Sequence, residues 1–102
     1  MLAVMQPLEA AKAYASPGSG SDINLLTDYA SAAPNAQAGA AKPARAIYVG
    51  GTGNITVKFG QGQAVTYLAV PAGTVLPAPG MPGNFTAIVA ATTTATNLVV
   101  HW

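Results

Sequence analysis

Charged side chains are almost absent from the second half of this chain, and this limits what it can fold into. Between Ala46 and Trp102 the only residue with a formal charge at neutral pH is Lys58. Over the whole chain 7% of residues are charged and 51% are hydrophobic, whereas soluble domains usually carry roughly 25% charged residues. A small domain normally stays soluble and monomeric through a charged surface. We therefore expect a partner, or further copies of the chain, to cover much of this surface.

The same composition argues against several classes of protein. Nucleic-acid binding needs a row of cations that displaces counterions from phosphates, and the chain has four Lys or Arg residues in total. Disordered chains are poor in apolar residues and rich in charge, which is the reverse of this composition. The chain has no cysteine, so disulfides and thiolate metal sites are not expected. Neither a long apolar span nor a basic signal-peptide start is present, so no membrane partner is expected.

Residue types divide the sequence at residue 45. All carboxylates and all serines precede this position, so we predict an N-terminal arm and linker over 1–45 and a β-rich body over 46–102. Within the arm, residues 7–15 are compatible with a short helix, because proline is tolerated in the first turn. Residues 30–43 are rich in alanine and interrupted by prolines, which favours an extended connector.

The body alternates short β-type segments with glycine- and proline-rich turns. In the segment 55–59 the apolar residues recur with period two, as in a strand with one buried face. The glycine-rich segment 50–54 is interpreted as a hairpin turn with residues at positive φ. This spacing is typical of a small all-β protein, an antiparallel β-sandwich or barrel. We predict about six strands, at 46–49, 55–59, 64–70, 74–76, 85–90 and 95–102.

The size of the body favours self-association. A domain of this size is only marginally stable by itself, and natural scaffolds this small usually add disulfides, a metal or oligomerisation. Its strand edges also carry almost no charge, so they are open templates for pairing with another chain. We expect a homo-oligomer, as a trimer or pentamer.

Little in the sequence supports catalysis. The body contains no Asp, Glu, Cys or Ser, and His101 is the single histidine of the chain. General acid–base chemistry needs several positioned titratable groups, and a metal site needs a recognisable ligand spacing. We therefore predict no enzyme, no metal and no cofactor. A hydrolase that uses His101 is a minor alternative.

Two sets of residues are candidates for contacts. The first would bind a partner protein or a neighbouring subunit, and the N-terminal arm with Leu25, Leu26 and Tyr29 would order only on docking. Its members are Leu25, Leu26, Tyr29, Lys42, Arg45, Tyr48, Tyr67 and Trp102. The second set would form a platform for sugar stacking in a secreted carbohydrate-binding module, which is the alternative function. It consists of Tyr48, Phe59, Tyr67, Phe85 and Trp102, although core positions for Phe59 and Phe85 are the simpler interpretation.

Two blocks of the body carry a family resemblance. The segments 44–57, ARAIYVGGTGNITV, and 70–77, VPAGTVLP, resemble the spike base proteins of gene transfer agents and related tailed bacteriophages. The resemblance implies a small β-rich structural protein on the outer surface of the virion head, where an oligomeric base binds the major capsid protein and supports a fibre. This chain departs from the family pattern over 78–84, which carries no charge. The resemblance therefore leaves open a spike base with a fibre protein or a decoration (cement) protein.

Overall fold

The computed structural model describes residues 10–33, 40–60, 63–78 and 84–102, and their strands form two sheets. In chain order the elements are β1 (Ala11–Tyr14), β2 (Ile23–Asn24), α1 (Leu25–Ala32), β3 (Ala46–Gly51), β4 (Gly53–Phe59), β5 (Gln63–Val70), β6 (Thr74–Pro77), β7 (Phe85–Ile88), a 3₁₀ turn (Ala90–Thr92) and β8 (Thr96–His101). Sheet A has the order β1-β8-β3-β6, and sheet B has the order β2-β7-β4-β5. All pairs are antiparallel. The predicted antiparallel sandwich is confirmed, and β3 to β8 are six strands within the predicted body.

Alternation along the strands sorts apolar side chains between the core and the surface. On β3 the side chains of Ile47 and Val49 are fully buried, whereas Tyr48 between them is exposed. The same alternation on β8 buries Leu98 and Val100. Sheet B supplies the facing layer of the core, with Ile55, Val57, Phe85 and Ile88. Period-two alternation thus builds the sandwich as expected for sheets with one buried face.

The glycine-rich segment 50–54 is not a hairpin turn, and that prediction is wrong. It carries the chain from β3 in sheet A to β4 in sheet B. None of its glycines has a positive φ; they are needed because the backbones approach closely. A Cβ atom built on Gly53 would lie 2.5 Å from the backbone nitrogen of Ala95. Among the described strands, only β4 and β5 both follow each other in sequence and pair with each other in a sheet.

Residues 10–33 belong to the sandwich. The predicted helix over 7–15 is wrong where the structure describes it, because 11–14 form β1, which pairs with β8. Alanine has a high helix propensity, but propensity is a weak determinant, and the open edge of β8 offers backbone partners that override it. The predicted extended connector over 30–43 is also corrected at its start, because α1 continues to Ala32; residues 34–39 lie outside the described part of the chain.

The C-terminal residue joins the N-terminal segment to the body. The indole ring of Trp102 is fully buried. Its Nε1 donates to two carbonyl oxygens, those of Leu25 at 3.1 Å and Lys42 at 3.0 Å. The backbone nitrogen of Trp102 donates to the carbonyl oxygen of Ala10 at 2.9 Å. One residue therefore holds β1, α1 and the chain entering β3 against the core.

Replacing Trp102 by phenylalanine tests this role. The change Trp102→Phe removes the indole N–H and leaves two carbonyl oxygens without this donor, so we expect the free energy of unfolding to fall by about 2–3 kcal/mol. Urea denaturation followed by far-ultraviolet circular dichroism measures it. The control is Ser21→Ala, since Ser21 is exposed and this change should alter stability by less than about 0.5 kcal/mol. Equal effects of the two changes would contradict the assigned role.

The close approach at Gly53 gives a second prediction. In Gly53→Ala the new methyl group meets backbone atoms that cannot rotate away, so we expect a loss of about 3 kcal/mol, the upper end of overpacking costs. Gly20→Ala is the matched control, because it also restricts the unfolded chain. Gly20 has φ of +95° and nothing within 4 Å of an added Cβ, so only about 1 kcal/mol of backbone strain is expected. Thermal unfolding of both variants decides whether the steric explanation holds.

Candidate functional site

Several residues predicted to contact a capsid protein or a subunit instead surround Trp102. Leu25 and Trp102 are fully buried in the core of their own chain, which corrects their assignment as surface contacts. The ring of Tyr29 is half-buried and lies 6.4 Å from the ring of Trp102. The helix that carries Leu25 and Tyr29 is already packed on the sandwich. The prediction that the arm orders only on docking is therefore corrected for this helix.

Lys42 and Arg45 make contacts within the same cluster. The backbone nitrogen of Lys42 donates to the carbonyl oxygen of Leu26 at 3.3 Å, and its Nζ lies 5.7 Å from the centre of the Tyr29 ring. The guanidinium group of Arg45 donates to the carbonyl oxygen of Trp102 at 3.1 Å. These two cations thus stabilise the joint between the N-terminal segment and β8.

A second polar cluster ties β1 to α1. The hydroxyl group of Tyr14 donates to Oδ2 of Asp28 at 2.6 Å. The Nζ of Lys12 lies 3.8 Å from the same oxygen and donates to Oγ of Ser31 at 3.2 Å. Burial, and then the hydrogen bond to Asp28, raise the pKa of Tyr14 well above its ordinary value. The arrangement holds two elements together.

The side chain of His101 belongs to neither cluster, although its carbonyl oxygen accepts a hydrogen bond from the backbone nitrogen of Arg45 at 2.8 Å. It is on the outer side of sheet A, directly opposite Ala11 on β1 and Ala46 on β3. A hydrolytic role would need a nucleophile or an acid beside the imidazole, and neither cross-strand neighbour supplies one. Within the described ranges, no group of three or more His, Asp or Glu side chains is close enough to hold a metal ion.

The aromatic side chains do not share one face. Phe85 is fully buried, and the Phe59 ring packs against it with 5.3 Å between ring centres. The core position predicted for Phe85 is thus confirmed, whereas Phe59 is partly buried and packs against the core. Tyr48 lies on sheet A and Tyr67 on β5 of sheet B, so the residues of the sugar-stacking hypothesis lie on separate surfaces or in the core.

One open groove, with a volume of about 290 Å³, lies beside β2, β4 and β7. Asp22, Leu26, Lys58 and Thr86 are among its lining residues. The carboxylate of Asp22 already accepts a hydrogen bond from the backbone nitrogen of Ala90 at 2.9 Å. Its polar lining therefore contributes to the local fold.

In the described part of the chain, no helix is long and apolar enough to cross a membrane.

The outer side of sheet A is the strongest candidate for a functional surface. Four side chains from four strands lie in one row across it, because Ala13 pairs with Val99, Val99 with Tyr48, and Tyr48 with Val75. Tyr48 is 38% exposed and Val75 is 55% exposed. The next row has the same character and consists of Ala11, His101, Ala46 and Pro77. We call these eight residues the uncharged face.

The sequence indicated the uncharged face only in part. Burial of Ile47 and Val49 places Tyr48 on the opposite side of β3, and this alternation is readable from the sequence. The neighbours of Tyr48 in the row cannot be predicted from the sequence, because they lie on strands that are distant in sequence. Of the predicted contact residues, Tyr48 is on this face, Tyr67 is half-buried on β5 and Leu26 lines the groove.

Comparison with known proteins leaves the family of this chain open. No protein-family model matches the sequence, and searches of curated proteins and of solved structures find no match either.

The Tyr14–Asp28 contact predicts how stability depends on alkaline pH. The folded state raises the pKa of Tyr14, so its contribution is fully present below the unfolded pKa of about 10 and is lost as the pH rises further. We expect the wild type to lose unfolding free energy more steeply between pH 10 and 12 than Tyr14→Phe. Denaturant titrations of both proteins across this range measure the difference. Parallel pH profiles would contradict the assigned contact.

Proposed function

We propose that this chain is a structural protein on the outer surface of a tailed-phage head, where it binds the major capsid protein and associates with further copies of itself. The uncharged face is the observation that carries this proposal, and it is assigned to the contact with the capsid. The resemblance of segments 44–57 and 70–77 to spike base proteins supplies the setting. A decoration (cement) protein and a base for a spike fibre both fit this role.

The composition of the face defines how it would bind. Its eight residues include no Lys, Arg, Asp or Glu, so attraction between opposite charges contributes nothing. Burial of Tyr48 and Val75 would supply the driving force, since apolar area removed from water stabilises by roughly 25 cal/mol per Å². Tyrosine is also enriched where proteins contact each other. Binding to the shell is therefore expected to persist at high salt, where interactions between exposed charges are screened.

The size of the face explains why self-association belongs to the proposal. Four strands about 4.8 Å apart, each contributing two outward residues along about 13 Å, cover roughly 250 Å². A stable interface between two proteins buries about 800 Å² on each partner. One copy alone would thus bind the shell weakly. Several linked copies bind together far more strongly, because each bound copy raises the effective concentration of the next.

The alternative function, a secreted carbohydrate-binding module, has less support. Its aromatic residues are divided between the core, sheet A and β5. Sugar binding usually combines stacking with precisely placed polar groups, and Tyr48 has only uncharged, mostly apolar neighbours in its row.

A single charge on the uncharged face tests the capsid contact. Tyr48→Asp and Val75→Asp each place a carboxylate where the shell would remove water, so we expect at least a tenfold loss of co-sedimentation with heads. Ala91→Asp is the matched control, because Ala91 is exposed on the 3₁₀ turn beside sheet B. Circular dichroism and thermal unfolding must show that all three variants fold. Full binding by the two face variants, or equal loss in the control, would refute the proposed contact.

A further inference from the structure

The edge strands of the two sheets are not equally protected against pairing. An edge strand presents unpaired backbone groups, and natural proteins blunt such edges by short length, charge or proline. On sheet A, β1 carries Lys12 and β6 ends at Pro77. On sheet B, β2 has two residues. The fourth edge, β5, has eight residues and contains neither a proline nor a charge.

At β5 an apolar side chain on the core side of sheet B is partly exposed to solvent. Val65 lies directly opposite Val57 on β4 and points to the same side of the sheet. Val57 is fully buried, yet Val65 is 38% exposed. The exposed fraction of Val65 therefore comes from its position at the edge and not from its orientation. On the other side of the strand Leu68 is 72% exposed. Lys58 does not guard this edge, since its strand, β4, lies inside sheet B.

We propose that β5 pairs antiparallel with β5 of a second copy across a two-fold axis, which joins the two B sheets into one sheet of eight strands. Residues directly opposite each other in an antiparallel pair share a face. The regular part of the strand ends at Leu68, because Ala69 has a φ of +51° and its backbone nitrogen donates to the side chain of Asn54. Axes through Val65 and through Thr66 pair equally many residues of this regular part, and the axis through Thr66 is chosen because it includes Leu68, which is 72% exposed.

This register makes a second copy the matching occupant. On the core side it sets Val65 opposite the second copy's Tyr67, so each covers the exposed part of the other. On the outer side it sets the small Ala64 opposite the large Leu68 twice. No charged side chains meet, so the strand is complementary to itself, as a two-fold contact requires. The pairing rests on the self-association in the proposed function and specifies the contact that produces it.

Two double variants that share one substitution test the pairing and its register. Positions 64 and 68 are about 13 Å apart along one strand, too far for their side chains to pair within a copy. Between copies they are direct neighbours. Ala64→Lys with Leu68→Lys sets like charges opposite each other twice, whereas Ala64→Lys with Leu68→Glu sets opposite charges together twice. Both variants carry Ala64→Lys directly opposite Lys58 on β4. Any repulsion between these two lysines is therefore the same in both variants.

The measurement is the dissociation constant of the dimer, by sedimentation equilibrium of the full chain without shells. We expect the double-lysine variant to dissociate at least about tenfold more readily than the lysine–glutamate variant. Matching unfolding temperatures of the two variants verify that the fold is intact. Equal dissociation constants, a wild type that stays monomeric, or a trimer or pentamer that neither variant changes would overturn the inference. Because no shell is present, a failure of capsid binding alone leaves this result unaffected.

Discussion

The buried indole of Trp102 is the interaction on which the rest of the structure depends. It fills the end of the core, and its N–H donates to carbonyl oxygens of Leu25 and Lys42. Both partners precede the body in sequence, so Trp102 holds residues 10–33 against the sandwich. A domain of about 60 residues, which is the size of the body alone, buries only about 60% of its unfolded surface. The added strands β1 and β2 and helix α1 therefore contribute a substantial share of the buried area.

Most of the few charged residues make contacts that hold the N-terminal segment to the body. Lys12 and Asp28 connect β1 with α1, and Lys42 and Arg45 stabilise the surroundings of Trp102. Lys58 faces the groove that Asp22 also lines. The charges that would normally keep a surface free of partners thus hold segments of one chain together. The outer side of sheet A and the edge at β5 remain uncharged, and they are the two surfaces assigned to assembly.

The sequence predicted individual strands much better than their partners. Alternation and glycine- or proline-rich turns located all six strands of the body, because both signals are local. Which sheet a strand joins depends on contacts distant in sequence, so the passage through Gly53 between the sheets was mistaken for a hairpin. Strand β1 was predicted as helix for the same reason, since its partner β8 is at the other end of the chain. Leu25, Tyr29 and Trp102 are apolar or aromatic, which fits a core and an interface equally well. Only the fold separated the two.

The central claim is that the uncharged surface of this protein is covered by assembly. The most direct test is sedimentation velocity of the unmodified chain over a wide range of concentrations, alone and with phage heads. We predict a mass above that of the 10.1 kDa chain that rises with concentration, and salt-resistant sedimentation with the heads. A 10.1 kDa monomer that persists at high concentration and stays in the supernatant when heads are present would contradict the account.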